Sequence, residues 1–169
     1  FEAGDCLVLY TDGVTDAAAA LAGARDILAE RLSEDAAVRG EARRLALTKA
    51  VVVCQLAGEE AEVDQAGKYR LYHDVALPLP DIQPHQWLAI SRGEADGALH
   101  VRLDLPEDDI LDVMEVSFLR GPRRPIRDQV EAAIVDGYRR LLAPGVERDV
   151  RASESDEADQ HAIQVFTAN

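Results

Sequence analysis

The amino-acid sequence predicts a mainly α-helical fold with a minor β component, in which helical segments surround a small strand-containing junction. Aromatic residues make up only 5% of the chain against an apolar fraction of 47%, which favours helices packed through small side chains over a β-sandwich core. Apolar residues recur at three- and four-residue spacing in the blocks before and after the junction. The junction, residues 68–105, differs in composition and holds the only tryptophan of the chain.

Four parts follow one another along the chain, and the first, residues 1–16, has the pattern of a strand and a turn. The apolar run at residues 6–10 is short enough for a buried strand, and Thr11-Asp12-Gly13 then supplies a turn. A single strand needs a partner, for which residues 51–56 and 99–103 are the obvious candidates.

The second part, residues 17–57, is predicted to form two helices and a strand. Apolar residues at helical spacing indicate the first helix, with Asp16 as its expected N-cap. Ser33, which two acidic residues follow, is expected to begin the second helix, because acids are favoured in a first turn. The β-branched run at residues 51–56 is short and indicates a strand.

The third part, residues 58–105, begins with a charged connector and continues as the mixed junction. A Pro-Leu-Pro stretch favours extended backbone within it. Pro84 is well placed to start a short helix that Asp96-Gly97 would close. A hairpin over residues 84–97 fits the same apolar run, and the two alternatives stay open. Alternating apolar and polar residues at 98–105 predict a half-buried strand.

The fourth part, residues 106–169, is predicted to be a helical block that leads toward a further domain. Pro106 and the three acidic residues after it are expected to start one helix. A second helix is expected over residues 126–142, with Pro144-Gly145 as its stop. From Val146 onward, sparse apolar positions in a polar sequence predict a long surface or bridging helix.

Charge and composition argue against several classes of protein. A formal net charge of −14 repels phosphate backbones, which makes the surface as a whole a poor one for sequence-independent nucleic-acid binding. The two cysteines, Cys6 and Cys54, have no zinc-site spacing. No apolar run has the length of a membrane span, and we expect a cytoplasmic location. Because the sequence starts at Phe1, we expect it to be a fragment of a longer protein.

The sequence contains no Ser/His/Asp set, Walker loop, HExxH or GxGxxG motif, and we therefore expect neither an enzyme nor a bound cofactor. The best local candidate for a nucleic-acid contact is a basic cluster that consists of Arg120, Arg123, Arg124 and Arg127. Its guanidinium groups can contact phosphate. The alternative is a solvated loop whose arginines pair with the abundant acids. Trp87 could stack on a base, but its apolar neighbours favour a place in the core.

Two resemblances to known families add to these patterns, and the first covers residues 1–16 alone. The Gly-Asp turn, the apolar strand and the run Tyr-Thr-Asp-Gly-Val-Thr resemble one motif of the SpoIIE-like metal-dependent serine/threonine phosphatases. This resemblance implies a metal-binding role for Asp12. A binuclear metal site needs several oxygen ligands from different strands, so the alternative function is that of an incomplete and inactive phosphatase fragment.

The second resemblance runs from about residue 17 to residue 169. It lies in Ala-Leu-Ala-Gly-Ala-Arg-Asp at residues 20–26, in Arg92-Gly93-Glu94, and in Asp-Gly-Tyr-Arg-Arg-Leu-Leu-Ala-Pro at residues 136–144. These residues resemble the central helical region of the Tex family of bacterial transcription accessory proteins. The resemblance implies a helical segment between a helix-turn-helix region and an RNase-H-like domain, with RNA-binding modules further downstream.

The function that this second resemblance implies is a non-catalytic scaffold that orients flanking RNA- or DNA-binding modules. Nucleic acid is then bound through modules outside this chain, transcription machinery is a further expected partner, and no membrane is involved. The two resemblances meet at residues 13–17, where the sequence fits the patterns of both families. A joined reading frame would produce this pattern, and under that hypothesis residues 1–16 are foreign to the rest.

Overall fold

A computed structural model describes residues 14–58, 67–119 and 124–167 of the chain. Within these ranges helices dominate and three strands form one small sheet, which confirms the predicted fold class. The helices are α1 (Val14–Glu34), α2 (Ala36–Lys49), α3 (Pro84–Ala95), α4 (Glu107–Phe118), α5 (Arg124–Gly137) and α6 (Ala143–Thr167), and the strands are β1 (Val51–Leu56), β2 (Val75–Pro78) and β3 (Leu99–Asp104). The strand predicted at residues 6–10 lies outside the described residues, as does Asp12.

The three strands form an antiparallel sheet in the order β2-β1-β3. The strands predicted for β1 and β3 are confirmed, and β3 buries Leu99 and Leu103 as its alternation indicates. For β2 the sequence predicts only extended backbone, and a strand can end in Pro78 because an outer edge needs no amide donor. β1 has a neighbour on each edge, so it offers no free edge to the strand predicted at residues 6–10.

Both helix starts expected in the N-terminal block are wrong by a few residues. α1 begins at Val14, so Asp16 lies inside its first turn and does not precede it. Ser33 belongs to the end of α1, where it is buried and its hydroxyl donates to a main-chain carbonyl one turn back at 2.9 Å. Asp35 caps α2 instead, because its carboxylate accepts two amide hydrogens of the first turn at 2.9 and 3.0 Å.

The junction forms a helix at residues 84–95 and not the hairpin that the sequence leaves open. Pro84 lies in the first turn of α3, where its missing amide hydrogen costs nothing. The amide of Gln83, just before the helix, donates to the side chain of Gln86 at 2.9 Å. Gly97 follows the helix with a φ of 72°, a left-handed conformation that favours glycine.

α5, a π-helical turn at Tyr138–Leu142 and α6 follow one another without a break. The stop expected at Pro144-Gly145 is therefore wrong. Proline has no amide hydrogen, and in an α-helix its ring clashes with the carbonyl group four residues earlier. The wider turn just before it, in which the Ala143 amide donates to the Tyr138 carbonyl oxygen, lets the helix continue past the proline.

The main hydrophobic core is shared by the sheet and by the helices on both sides of it in the sequence. Its buried residues extend from Leu32 in α1 to Ala158 in α6. α1 and α5 approach so closely that a Cβ built on Gly137 would lie 3.0 Å from the Ala29 carbonyl oxygen. The long helical run from α5 to α6 is thus held against the rest of the molecule along much of its length.

Candidate functional site

The structure describes only one side chain of the predicted basic cluster, that of Arg127. Arg120 and Arg123 lie outside the described residues, and Arg124 is the first residue of α5. Arg127 forms an ion pair with Glu131 one turn further along α5, with 2.8 Å between Nε and Oε1. That hydrogen bond raises the pKa of Arg127 above its ordinary value, so its charge is secure. The cluster stays a predicted phosphate contact, with one member already paired to an acid.

The described residues do not bring together a set of side chains suited to metal binding. No group of three or more His, Cys, Asp and Glu side chains among them could hold a metal ion. The thiol of Cys54 is buried in β1, and burial raises its pKa to about 11, which keeps it protonated and unreactive. In the same part of the chain, no helix is long and apolar enough to cross a membrane.

A joint connects α3, β3 and α6, and we define it by the residues that make its polar contacts: Trp87, Glu94, Val101, Arg151 and Ser155. Trp87 is only 3% exposed, which confirms the place in the core that its neighbours favour. Its indole N–H donates to the Ser155 hydroxyl oxygen at 3.1 Å. A buried indole N–H without a partner would cost free energy, so Ser155 allows α6 to pack on this ring.

Arg151 is the hub of the joint and makes contacts in three directions. Its guanidinium donates to Glu94 of α3 at 2.9 Å, to the Val101 carbonyl oxygen of β3 at 2.7 Å, and to Glu147 of α6 at 3.0 Å. The Arg151 side chain is only 27% exposed, so solvent screens these contacts less than those of a surface ion pair. One side chain thus ties a helix, a strand and the long helical run together.

A glycine lets α3 approach β3 at the joint. A Cβ built on Gly93 would lie 2.6 Å from Leu99 Cδ1 and 3.1 Å from Tyr69 Cδ1. Both neighbours are buried, and the Tyr69 hydroxyl is held in addition by a hydrogen bond to the Asp96 carboxylate. Because both neighbours are buried, the close contact between helix and strand depends on the missing side chain.

Beyond the joint, α6 ends in an exposed apolar tip. Ala158 is the last residue of the helix that is fully buried. After it, Ile163 is 63% exposed, Val165 48% and Phe166 84%. The long helix predicted from Val146 onward is present, and its surface character is confirmed for the final turns, which leave the core. The bridging role stays a prediction.

The sequence points to Trp87 but not to its partners on α6. Arg151 and Ser155 lie four residues apart, and their helical spacing to the buried Ala158 indicates an inward face. What they contact depends on the fold, since Glu94 is 57 residues away from Arg151 in the sequence.

Comparisons with known proteins give a consistent result over nearly the whole chain. A family model described as Tex central region-like matches residues 3–166. The chain is similar to YdcI of Bacillus subtilis, with 31% identity over 150 residues that cover 89% of this chain and 21% of that protein. It is similar to the transcriptional accessory protein Tex of Neisseria gonorrhoeae, with 28% identity over 94% of this chain and 21% of that protein.

A more distant similarity is to the S1 RNA-binding domain-containing protein 1 of Pongo abelii, with 23% identity over 87% of this chain and 16% of that protein. The chain spans about a fifth of the length of the first two relatives. The phosphatase resemblance of residues 1–16 receives no support, because the Tex central region-like model already covers the chain from residue 3.

Proposed function

Because the chain belongs to the Tex family, whose central region it matches over residues 3–166, we propose that it is a non-catalytic scaffold that orients flanking RNA- or DNA-binding modules. It is a segment of a Tex-like transcription accessory protein. The family relationship also supports the proposed association with transcription machinery and the cytoplasmic location. The four-part division of the chain, with residues 1–16, 17–57, 58–105 and 106–169, remains part of this proposal.

The continuous helical run from Arg124 to Thr167 is the observation that carries the proposal. At 1.5 Å per residue it is roughly 65 Å long, which exceeds the diameter of a small domain. Its middle is held at the joint by Trp87 and Arg151, and its C-terminal end leaves the core. A helical run that is held against the core along much of its length and extends beyond the core at its C-terminal end can hold two attached modules in a set relative orientation.

Electrostatics support an indirect role in nucleic-acid binding. The net charge of −14 opposes binding of phosphate backbones by the chain as a whole. One relative is named for an S1 RNA-binding domain, and this chain covers only 16% of that relative. We propose that RNA or DNA is bound by modules outside the chain, and that Arg120, Arg123 and Arg124 add at most a local phosphate contact.

The first experiment measures nucleic-acid binding by the 169-residue chain itself. Fluorescence anisotropy with a labelled single-stranded RNA and a DNA duplex, each at 50 and 200 mM salt, is expected to show no saturable binding. A double charge reversal, Arg123→Glu with Arg124→Glu, is then expected to change nothing. Binding that the double variant weakens, with a shallower dependence on salt, would show direct contact and contradict the purely scaffolding role.

The second experiment tests orientation in a chimera. The segment of Bacillus subtilis YdcI that aligns with this chain is replaced by the chain, and RNA affinity is compared with that of parental YdcI. We expect the chimera to match its parent and Arg151→Met in the graft to weaken RNA binding, because the joint loses its hub. Glu157→Gln, an exposed change on α6 outside the joint, is the matched control. A parent without RNA affinity, or equal affinity of Arg151→Met and the control, would refute the proposal.

A further inference from the structure

The π-helical turn of the long helical run borders a cleft of about 520 Å³ that has no part in the scaffolding role. We call it the π-turn cleft; its lining includes residues 103–105, Glu107, Tyr138, Arg139, Pro144 and Glu147. It lies where β3 ends, where α4 begins and where α6 starts. π-Helical turns inside α-helices are rare and are frequent at functional sites, so the polar groups of this cleft need an explanation.

Tyr138 is the first of these groups. The residue is only 4% exposed, with its ring in the hydrophobic core, and it lines the π-turn cleft. No hydrogen bond joins its hydroxyl to another described residue, and the oxygen keeps contact with solvent. Because Tyr138 lines the cleft, this oxygen is available for a hydrogen bond to a group that enters it.

Two carboxylates in the cleft also have unused capacity. Glu107 accepts both of its hydrogen bonds from Arg139 on the same oxygen, Oε1, at 3.1 and 3.3 Å. Glu147 accepts from Arg151, again on Oε1 alone, at 3.0 Å. Within the described part of the chain, Oε2 of each group has no partner. The cleft therefore presents three acceptor groups with open capacity, whereas its one cationic side chain, Arg139, is engaged.

The charges around Tyr138 favour a cation over an anion. Burial is the main cause that raises the pKa of Tyr138 to about 12, and the negative charge of Glu107 adds to it. Arg139 opposes this effect and Asp108 reinforces it. Asp104 also lines the cleft, but Arg102 neutralises it at 2.7 Å. Burial disfavours a charge of either sign, so the preference for a cation rests on the negative charges of Glu107 and Asp108, which would oppose a phosphate or carboxylate in the cleft.

We propose that the π-turn cleft binds the guanidinium group of an arginine side chain presented by a partner polypeptide. Guanidinium has five N–H donors in a planar fork and no acceptor, which matches the three open acceptors of Tyr138, Glu107 and Glu147. The apolar parts of the lining, Leu103, Leu105 and Ala143, suit the methylene stem of arginine. A compact ammonium group fills fewer of these acceptors, so lysine binds less well. This site is independent of the scaffolding role.

The test is a two-dimensional ¹H–¹⁵N NMR titration of the 169-residue chain at constant ionic strength. The probe is a short glycine- and serine-flanked peptide with one arginine, and matched peptides carry lysine or citrulline, the neutral isostere of arginine. We expect saturable shifts of backbone amides at residues 103–107 and 138–147, at least several-fold weaker binding of the lysine peptide, and no binding of the citrulline peptide. Scattered shifts over the acidic surface, equal shifts with citrulline, or no saturable shift at the cleft would overturn the proposal.

Three variants and a control test whether the arginine peptide binds at the π-turn cleft. Tyr138→Phe keeps the ring, and loss of one hydrogen bond to a charged group should weaken arginine binding about tenfold without a change in fold. Glu107→Gln should weaken binding by a similar factor, whereas Arg139→Gln should strengthen it because a competing cation is removed. Glu157→Gln removes an acid outside the cleft and should leave binding unchanged. A Tyr138→Phe protein that folds and binds like wild type, or an Arg139→Gln protein that binds more weakly, would refute the site.

Discussion

Replacement of Gly93 by alanine is expected to destabilise the protein, because α3 and β3 leave no room for a methyl group at this point. The added Cβ would lie 2.6 Å from Leu99 Cδ1 and 3.0 Å from Leu99 Cγ. On its other side it would meet Tyr69 Cδ1 at 3.1 Å. Leu99 is 2% exposed and Tyr69 6%, so a shift of either side chain disturbs further buried neighbours.

The magnitude follows from two opposing terms. Alanine is favoured over glycine in a helix interior by about 1 kcal/mol, and less near the end of α3. Overpacking of a filled core costs typically 1–3 kcal/mol, about the range expected for this contact. The net loss in the free energy of unfolding should be about 1–2 kcal/mol. For a chain of this size, that corresponds to a fall in melting temperature of roughly 2–8 °C.

Gly40→Ala is the matched control. Gly40 lies inside α2, and a Cβ built on it meets nothing within 4 Å, so only the helix-propensity term remains. This variant should be more stable than wild type by about 0.5–1 kcal/mol. Urea unfolding followed by circular dichroism measures both variants on the same scale. If Gly93→Ala stabilises the protein as much as Gly40→Ala does, α3 and β3 are not in the tight contact described above.

The remaining predictions concern the joint and the π-turn cleft. Trp87→Phe and Ser155→Ala should each lower the free energy of unfolding by about 1–2 kcal/mol, and the double variant should lose less than the sum, because both changes remove one hydrogen bond; additive losses in urea unfolding would contradict this contact. Arg151→Met should cost about 1–3 kcal/mol, and the loss should persist in 0.5 M NaCl because the bond to a carbonyl oxygen is not an ion pair; a loss that vanishes in salt would mean that surface charge alone is involved. Tyr138 has its pKa raised to about 12 in the folded state, so the unfolded chain releases this proton at lower pH and stability should fall as pH rises from about 10 to 12. Tyr138→Phe should lose less stability than wild type over that range in pH-dependent thermal melts, and an equal loss would refute the assigned shift.

Periodicity was sufficient to predict most of the regular structure. The β-branched run of β1 and the alternation of β3 are local signals, and each strand lies where these signals indicate. The acidic residues after Pro106 lie in the first turn of α4 as expected, because negative charge is favoured near the N-terminal end of the helix dipole. The choice between a helix and a hairpin at residues 84–97 stays open in the sequence, because a short apolar run fits both. In the structure the segment packs against α6 as a helix.

The cap of α2 shows that a local pattern does not predict which of two neighbouring residues caps a helix. Ser33 and Asp35 are both good N-cap residues, and their order in the sequence does not separate them. In the structure Ser33 is buried and satisfied within α1, which leaves Asp35 to accept the amide hydrogens of α2. The extent of α1 thus decides which residue caps the next helix.

The candidate sites divide in the same way. The place of Trp87 in the core can be predicted from its apolar neighbours, but its bond to Ser155 joins residues 68 positions apart. The three contacts of Arg151 likewise exist only once α3, β3 and α6 have met. No pattern in the sequence marks Tyr138 as a residue with an open hydroxyl, because that depends on which groups surround its oxygen in the fold.

Pro144 is the clearest case of a structure that overrides a local signal. The sequence alone determines a mainly helical Tex-family segment with a small sheet. Its composition, its periodicity and its family motifs can all be identified from the chain, since each depends on near neighbours or on the order of residues. Whether a helix ends at a proline depends instead on the free energy of the whole arrangement. Here a π-helical turn relieves the clash, and packing of the flanking helices on the shared core stabilises the continuous run. Tertiary contacts alone therefore decided the long helix, its joint with the sheet and the cleft at its π turn.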